Sequence, residues 1–150
     1  MKAIKVKNFS KFISPVVLLL FTTLFFQSYP EKLVFLNSSI VPSAQGTVEI
    51  KIDDNNNYAI EINITRLAGP KRLDPPKKVY VVWMNTEKNG AINIGQLNTS
   101  TTLLSSTLKS SLKTVTAFKP AGFFITAEDI GNIQQPIGKI VMTTGSKPKN

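Results

Sequence analysis

The chain of 150 residues holds no histidine and no cysteine, and these two absences remove whole classes of chemistry. Zinc sites of imidazole and thiolate, cysteine nucleophiles and Ser-His-Asp triads all need side chains that are missing here. Disulfides are excluded as well, so an exported domain of this sequence must be held by its apolar core alone. Lipoprotein acylation, which needs a cysteine, is closed too. Arginine is scarce: Arg66 and Arg72 are the only two, whereas single-strand and groove binders combine arginine with exposed aromatics. No nucleic-acid partner is expected. No phosphate-cradling glycine motif occurs, and Gly90, Gly95, Gly131 and Gly138 read as turn and bulge residues.

What is present is a chain 42% hydrophobic, with regular patterning that argues against disorder. About 100 residues suffice for one domain with its own core, so one folded domain behind a leader is the simplest organisation. The formal net charge of +9 is unevenly placed. Before Gln45, five lysines face Glu31 alone, and the remainder sets thirteen basic side chains against eight acidic ones. Many of those lysines fall in loops or alternate with apolar strand residues. They read as a solvated surface that guards strand edges, with weak attraction to an anionic membrane or envelope polymer as the alternative.

The leader is legible by itself. Residues 1–11 form a basic segment with Lys2, Lys5, Lys7 and Lys11, and an uncharged apolar run, FISPVVLLLFTTLFF, follows. This is the pattern of an export signal. The lysines orient it with the N-terminus in the cytoplasm and everything after Pro30 outside. Extended over residues 12–29, the helix reaches about 27 Å, close to the ~30 Å hydrocarbon core. An uncleaved single-pass anchor in the plasma membrane is expected, with a secreted or periplasmic form after cleavage as the alternative. A cut after Ser28 would place Phe26 at a position that favours small residues. Ala44 before Gln45-Gly46 offers a better local context. Residues 30–46 are read as a linker and 146–150 as a tail.

From Thr47 onward short strands with period-two alternation are separated by turn signals. Val48, Ile50 and Ile52 share one face, as do Tyr58, Ile60, Ile62 and Ile64. Asp53-Asp54-Asn55-Asn56-Asn57 is turn chemistry; it lacks the glycine and the bidentate glutamate of an EF-hand calcium loop. The prolines of 67–78 make that connection a surface crossover. The strand over 79–85 is apolar on both faces, which predicts a central position, and Trp83 is the natural centre of the core. Asn89-Gly90 predicts a type I′ hairpin, and Gly95 a bulge or close approach. Further strands are expected over 101–106, 108–114, 122–127 and 139–144. Seven or more such strands predict an all-β, antiparallel immunoglobulin-like β-sandwich behind an N-terminal membrane or signal helix, with a small closed barrel as the runner-up.

Four segments in fixed order carry a family likeness: YVVWM at 80–84, GQL at 95–97, FFITAED at 123–129 and PIGKIVMTTG at 136–145. Together they resemble the C-terminal, extracytoplasmic domain of bacterial anti-sigma-K factors, over residues 47–145. The resemblance implies structural signature positions at Tyr80, Trp83, Gly95, Leu97, Phe124, Thr126, Glu128, Pro136 and Gly138. It also implies a membrane helix ahead of the domain and a bacterial source, which discounts the Asn-x-Ser/Thr glycosylation sequons at Asn37, Asn63 and Asn98. Full-length members hold their sigma factor with a cytoplasmic zinc-associated helical domain. Residues 1–11 are too short for that task, so a sigma factor is expected as partner only if another chain supplies the binding half.

Glu128 and Asp129 are adjacent carboxylates, but neighbours on a strand point to opposite faces, which disfavours an acid/base pair. A structural role for Glu128, accepting from loop amides or pairing with a lysine, is expected. The chain thus reads as a non-catalytic, extracytoplasmic interaction or sensor domain without metal or cofactor. Its partner is an unknown envelope protein or polymer, met through 67–78 and 128–138, with Arg72 and Lys77 as candidate contacts.

Overall fold

The computed structural model describes residues 29–100 and 108–145. Among them the fold is all-β: nine strands form two antiparallel sheets, and the helical content is one turn of 3-10 helix at Pro70–Arg72. The strands are β1 (Glu31–Val34), β2 (Gln45–Ile52), β3 (Tyr58–Thr65), β4 (Val79–Thr86), β5 (Gly90–Gln96), β6 (Asn98–Ser100), β7 (Lys109–Thr116), β8 (Pro120–Glu128) and β9 (Ile140–Thr143). One sheet has the order β1-β2-β3-β7-β6 and the other β5-β4-β8-β9.

Alternation places the isoleucines and valines. β2 and β3 pair in register from Gln45↔Thr65 to Ile52↔Tyr58, so Val48, Ile50, Ile60, Ile62 and Ile64 share one face and are buried. Ile52, at the strand end, is exposed. From the second sheet Tyr80, Val82, Met84, Phe123, Ile125 and Ala127 complete the same core cluster. The apolar faces of both sheets therefore meet in one core, and β-branched residues fit such half-buried pleated surfaces.

The first hairpin matches its turn chemistry. Asp53 Oδ1 accepts from the backbone N–H of Asn55 at 2.9 Å and of Asn57 at 2.8 Å, and Asn56 takes the left-handed conformation at φ 59°. The second hairpin departs from expectation. Thr86 pairs with Gly90 across a three-residue loop. Gly90 has φ 69°, while Asn89 is not among the positive-φ residues. A type I′ turn needs both in a two-residue loop, so the loop here is one residue longer than expected, with the positive φ confined to the glycine that closes it. The Thr86 hydroxyl secures it, accepting from Asn89 N–H at 2.8 Å. Gly95 does sit at a bulge: β5 carries one extra residue, Ile94, between the partners of Trp83 and Val82. Its φ of 133° and the Leu112 side chain 3.1 Å from where a Cβ would stand both favour glycine.

Residues 30–46 are not a linker. β1 pairs with β2 from Glu31↔Ile50 to Val34↔Thr47, and the chain then runs on to the edge of the other sheet, where Phe35 bridges Thr144. The Ser38 hydroxyl donates to Val141 C=O and accepts from the N–H groups of Ile40 and Val41. Phe35, Val41 and Ala44 are buried in the main core. This segment closes one side of the two-sheet stack. The apolar run before Tyr29, the strand expected over 101–106 and the tail 146–150 lie outside the described residues. Among the described residues no helix is long and apolar enough to cross a membrane.

Candidate functional site

The registers give the molecule two distinct ends. The turns 53–57, 87–89 and 117–119 gather at the end where the chain enters at Pro30, and Lys119 Nζ lies 2.8 Å from Glu87 there. The long connections 35–44, 66–78 and 129–139 gather at the opposite end.

Trp83 is buried, but not in the inter-sheet core. It belongs with Val81 and Phe124 to a second cluster on the outer face of the four-stranded sheet, against which Val79, Ala91 and Ile133 pack. The Trp83 and Phe124 rings stack at a centroid distance of 6.1 Å and 12° between planes. β4 is central, as its two apolar faces require; its outer face is covered by the connection 129–139 rather than by another sheet.

A line of hydrogen bonds holds that cover. The Trp83 indole N–H donates to the Thr126 hydroxyl at 2.9 Å, and this hydroxyl donates to Glu128 Oε1 at 2.7 Å. Glu128 also accepts from the backbone N–H of Ile137 at 3.1 Å and of Gly138 at 2.9 Å. The β4–β8 register explains the geometry: Val81 opposes Thr126 and Val79 opposes Glu128, so Trp83, Thr126 and Glu128 share the outer face. Glu128 is 3% exposed, and a buried carboxylate persists where donors surround it. Gly138 comes so close to β8 that a Cβ would lie 1.9 Å from Ala127 C=O.

Asn93 escaped the sequence reading. Its side-chain amide donates to the carbonyls of Gly131 at 3.0 Å and Ile133 at 2.8 Å, and its own carbonyl accepts from Gly95 N–H at 3.0 Å. One residue thus tethers the middle of the covering connection and supports the bulge. The signal was a lone amide between Ile92 and Ile94, opposite Trp83.

The remaining sequence-selected residues fall in different places. Tyr80 lies on the inner face, and its hydroxyl donates to Ala68 C=O at 2.7 Å; burial raises its phenol to about 12. Leu97 is half-buried against the main core and Pro136 is exposed. Asp129 turns away from Glu128 and pairs with Lys77 at 2.7 Å, so the two carboxylates do not converge. Arg72 is exposed on the 3-10 turn.

The connections 66–78 and 129–139 meet. Besides the Lys77–Asp129 pair, Lys78 N–H donates to Glu128 C=O at 2.9 Å. Between them lies a groove of about 220 Å³ lined by Ile40, Leu73, Pro75, Lys77, Ile137, Lys139 and Val141, among others. Two other depressions are a shallow one among the ion-paired residues of the five-stranded sheet's outer face and an amide-rich one along β5.

Charge is segregated between the ends. Arg66, Lys71, Arg72, Lys77, Lys78, Lys109 and Lys139 at the groove end face only Asp74, Asp129 and the buried Glu128. Elsewhere on the described surface five lysines face six carboxylates, and the pairs Lys32–Glu49, Lys113–Glu61 and Lys119–Glu87 lie there. Of the seven basic residues at the groove end, only Lys77 forms an ion pair among the described residues. Compared with known proteins, the chain matches no family model, and no curated protein and no solved structure matches it either.

Proposed function

We propose that the chain is a non-catalytic contact domain of immunoglobulin-like sandwich type, displayed outside the plasma membrane and held there by residues 12–29. It is similar in its signature segments to the C-terminal domain of anti-sigma-K factors. The observation that carries this reading is the convergence of 66–78 and 129–139 into one basic, grooved end, opposite the end where the chain enters. A rigid two-sheet scaffold that presents its longest connections away from an anchor suits binding at a distance from the membrane. The engagement of both Glu128 oxygens by Thr126 and Gly138, and the pairing of Asp129 with Lys77, supports contact rather than acid/base chemistry. The signature residues Trp83, Thr126, Glu128 and Gly138 lie in one hydrogen-bonded line, which supports a shared structural reason for the family likeness.

A secreted form remains the second reading, and one observation bears on it. Ala44 is 2% exposed and follows β1, Phe35 and Val41. Cleavage there would strip an edge strand and part of the core, so a secreted product begins before Glu31. Protease added to spheroplasts tests the compartment: digestion of the domain is expected, and its protection would overturn the reading. Retention of the protein in carbonate-washed membranes separates the anchor from the secreted form. Co-purification of a sigma factor from detergent extracts tests for a regulatory role.

A further inference from the structure

The groove at the basic end has a chemistry that narrows its occupant, given the reading of that end as the contact surface. Its lining is largely apolar: Leu73 and the buried Val141 contribute to it, and Ile137, 82% exposed, stands at its rim. Ile40 on its lining is exposed as well. Exposed aliphatic side chains clustered around a concave site mark a binding surface more than scattered ones do. The groove's volume of about 220 Å³ falls below the range of roughly 300–1,000 Å³ typical of small-molecule sites, and it suits one or two anchoring side chains. The surroundings are cationic on balance: Asp74 also lines the groove and Lys77 is paired with Asp129, but the further cations outnumber these carboxylates. Lys139 lines the groove, and Lys71 and Arg72 stand on the connection that supplies Leu73, none of them in an ion pair among the described residues.

The geometry points to an acidic peptide segment with an apolar anchor residue as the ligand of this groove. The anchor fills the space between Leu73, Ile137 and Val141, and aspartates or glutamates beside it meet Lys139, Arg72 and Lys71. Apolar anchoring supplies the affinity, and charge complementarity supplies orientation and speed of encounter. An anionic polymer would be held by the cations alone and would leave the apolar lining unused. The covering connection is pre-set for this task. Glu128 fixes the N–H groups of Ile137 and Gly138, and Asn93 fixes the carbonyls of Gly131 and Ile133, so little ordering cost falls on binding.

A random dodecapeptide library selected on the full-length protein in zwitterionic nanodiscs tests this, with the Ile137→Ser and Lys139→Glu proteins as counter-selections. Ile137 and Lys139 are both exposed, so neither change threatens the fold. Enriched peptides are expected to combine an aliphatic or aromatic residue with flanking Asp or Glu. Each substitution is expected to weaken their binding about tenfold, and raising salt from about 0.05 to about 0.3 M to weaken it further. Peptides unaffected by Ile137→Ser, or a failure to enrich any over the counter-selections, would overturn the proposal. So would poly-glutamate or polyphosphate binding as tightly as the selected peptides. Protease protection in spheroplasts, by contrast, would refute the extracytoplasmic reading while leaving the groove's chemistry intact.

Discussion

The indole of Trp83 and the carboxylate of Glu128 are joined through a single hydroxyl. Thr126 accepts from the indole N–H at 2.9 Å and donates to Glu128 Oε1 at 2.7 Å, with all three residues buried. A polar line under an apolar cover has high stakes, because each member left unpaired there costs its full desolvation.

Thr126→Val removes the relay while keeping the shape. It leaves the indole N–H without its acceptor and takes one donor from Glu128, so a loss of about 1–3 kcal/mol is expected. Urea denaturation followed by circular dichroism measures it, a readout that survives replacement of the sole tryptophan. In a double-mutant cycle with Trp83→Phe the two losses should fall short of additivity, since each breaks the same bond; strict additivity would count against the relay. Trp83→Ala, which also empties the cluster with Phe124, should cost about 3–5 kcal/mol.

Two glycines form a matched test of the covering connection. A Cβ at Gly138 would lie 1.9 Å from Ala127 C=O, whereas one at Gly69 would meet nothing within 4 Å. Gly138→Ala must displace backbone and is expected to destabilise by about 1–3 kcal/mol. Gly69→Ala should be neutral or stabilising by up to about 1 kcal/mol. Thermal melting of the two variants side by side decides it, and equal melting temperatures would contradict the close approach.

Tyr80 makes stability fall in strong alkali. Its phenol is raised to about 12 by burial, against an ordinary value of about 10. Above pH ~10 the unfolded chain releases this proton while the native state keeps it, so the unfolded state binds fewer protons and stability declines as pH rises toward about 12. The contribution is complete below about pH 10. The urea midpoint should therefore drop less steeply over that window in Tyr80→Phe than in the parent. Identical slopes would show that this phenol does not titrate late.

Removal of residues 1–44 should be far more damaging than removal of 1–29. The shorter deletion leaves β1 whole. The longer one removes β1, Phe35 and Val41 and leaves the β2 edge unpaired. Loss of a buried phenylalanine alone is worth about 3–5 kcal/mol, and a bare edge invites aggregation. Circular dichroism melts and light scattering of the two truncated proteins compare them; a well-folded, monomeric 45–150 fragment would show that 31–44 is dispensable.

Local pattern carried the strands that pair within hairpins. The alternation of Val48 and Ile50 with Glu49 and Lys51, and of Ile60, Ile62 and Ile64 with Glu61 and Asn63, has only one half-buried arrangement. The residues left out of that reading are those whose partners are distant in sequence. Glu31 to Val34 has little alternation of its own and becomes a strand because β2 offers an edge. Asn93 looks like a surface amide until Gly131 and Ile133, some forty residues later, are brought beside it.

The sequence by itself determined the all-β character of the described residues, the lack of imidazole and thiol chemistry, the doubly apolar central strand and the placement of many basic residues in the connections. Composition and period-two alternation are local properties, and they survive without knowledge of neighbours. Only the tertiary structure decided what covers each face of that central strand, which connections share an end, and that most cations outside ion pairs share the end that holds the groove. Those outcomes depend on which strands cross from one sheet to the other. Crossing is settled by packing between residues far apart in the chain, so the order of residues along the chain does not display it.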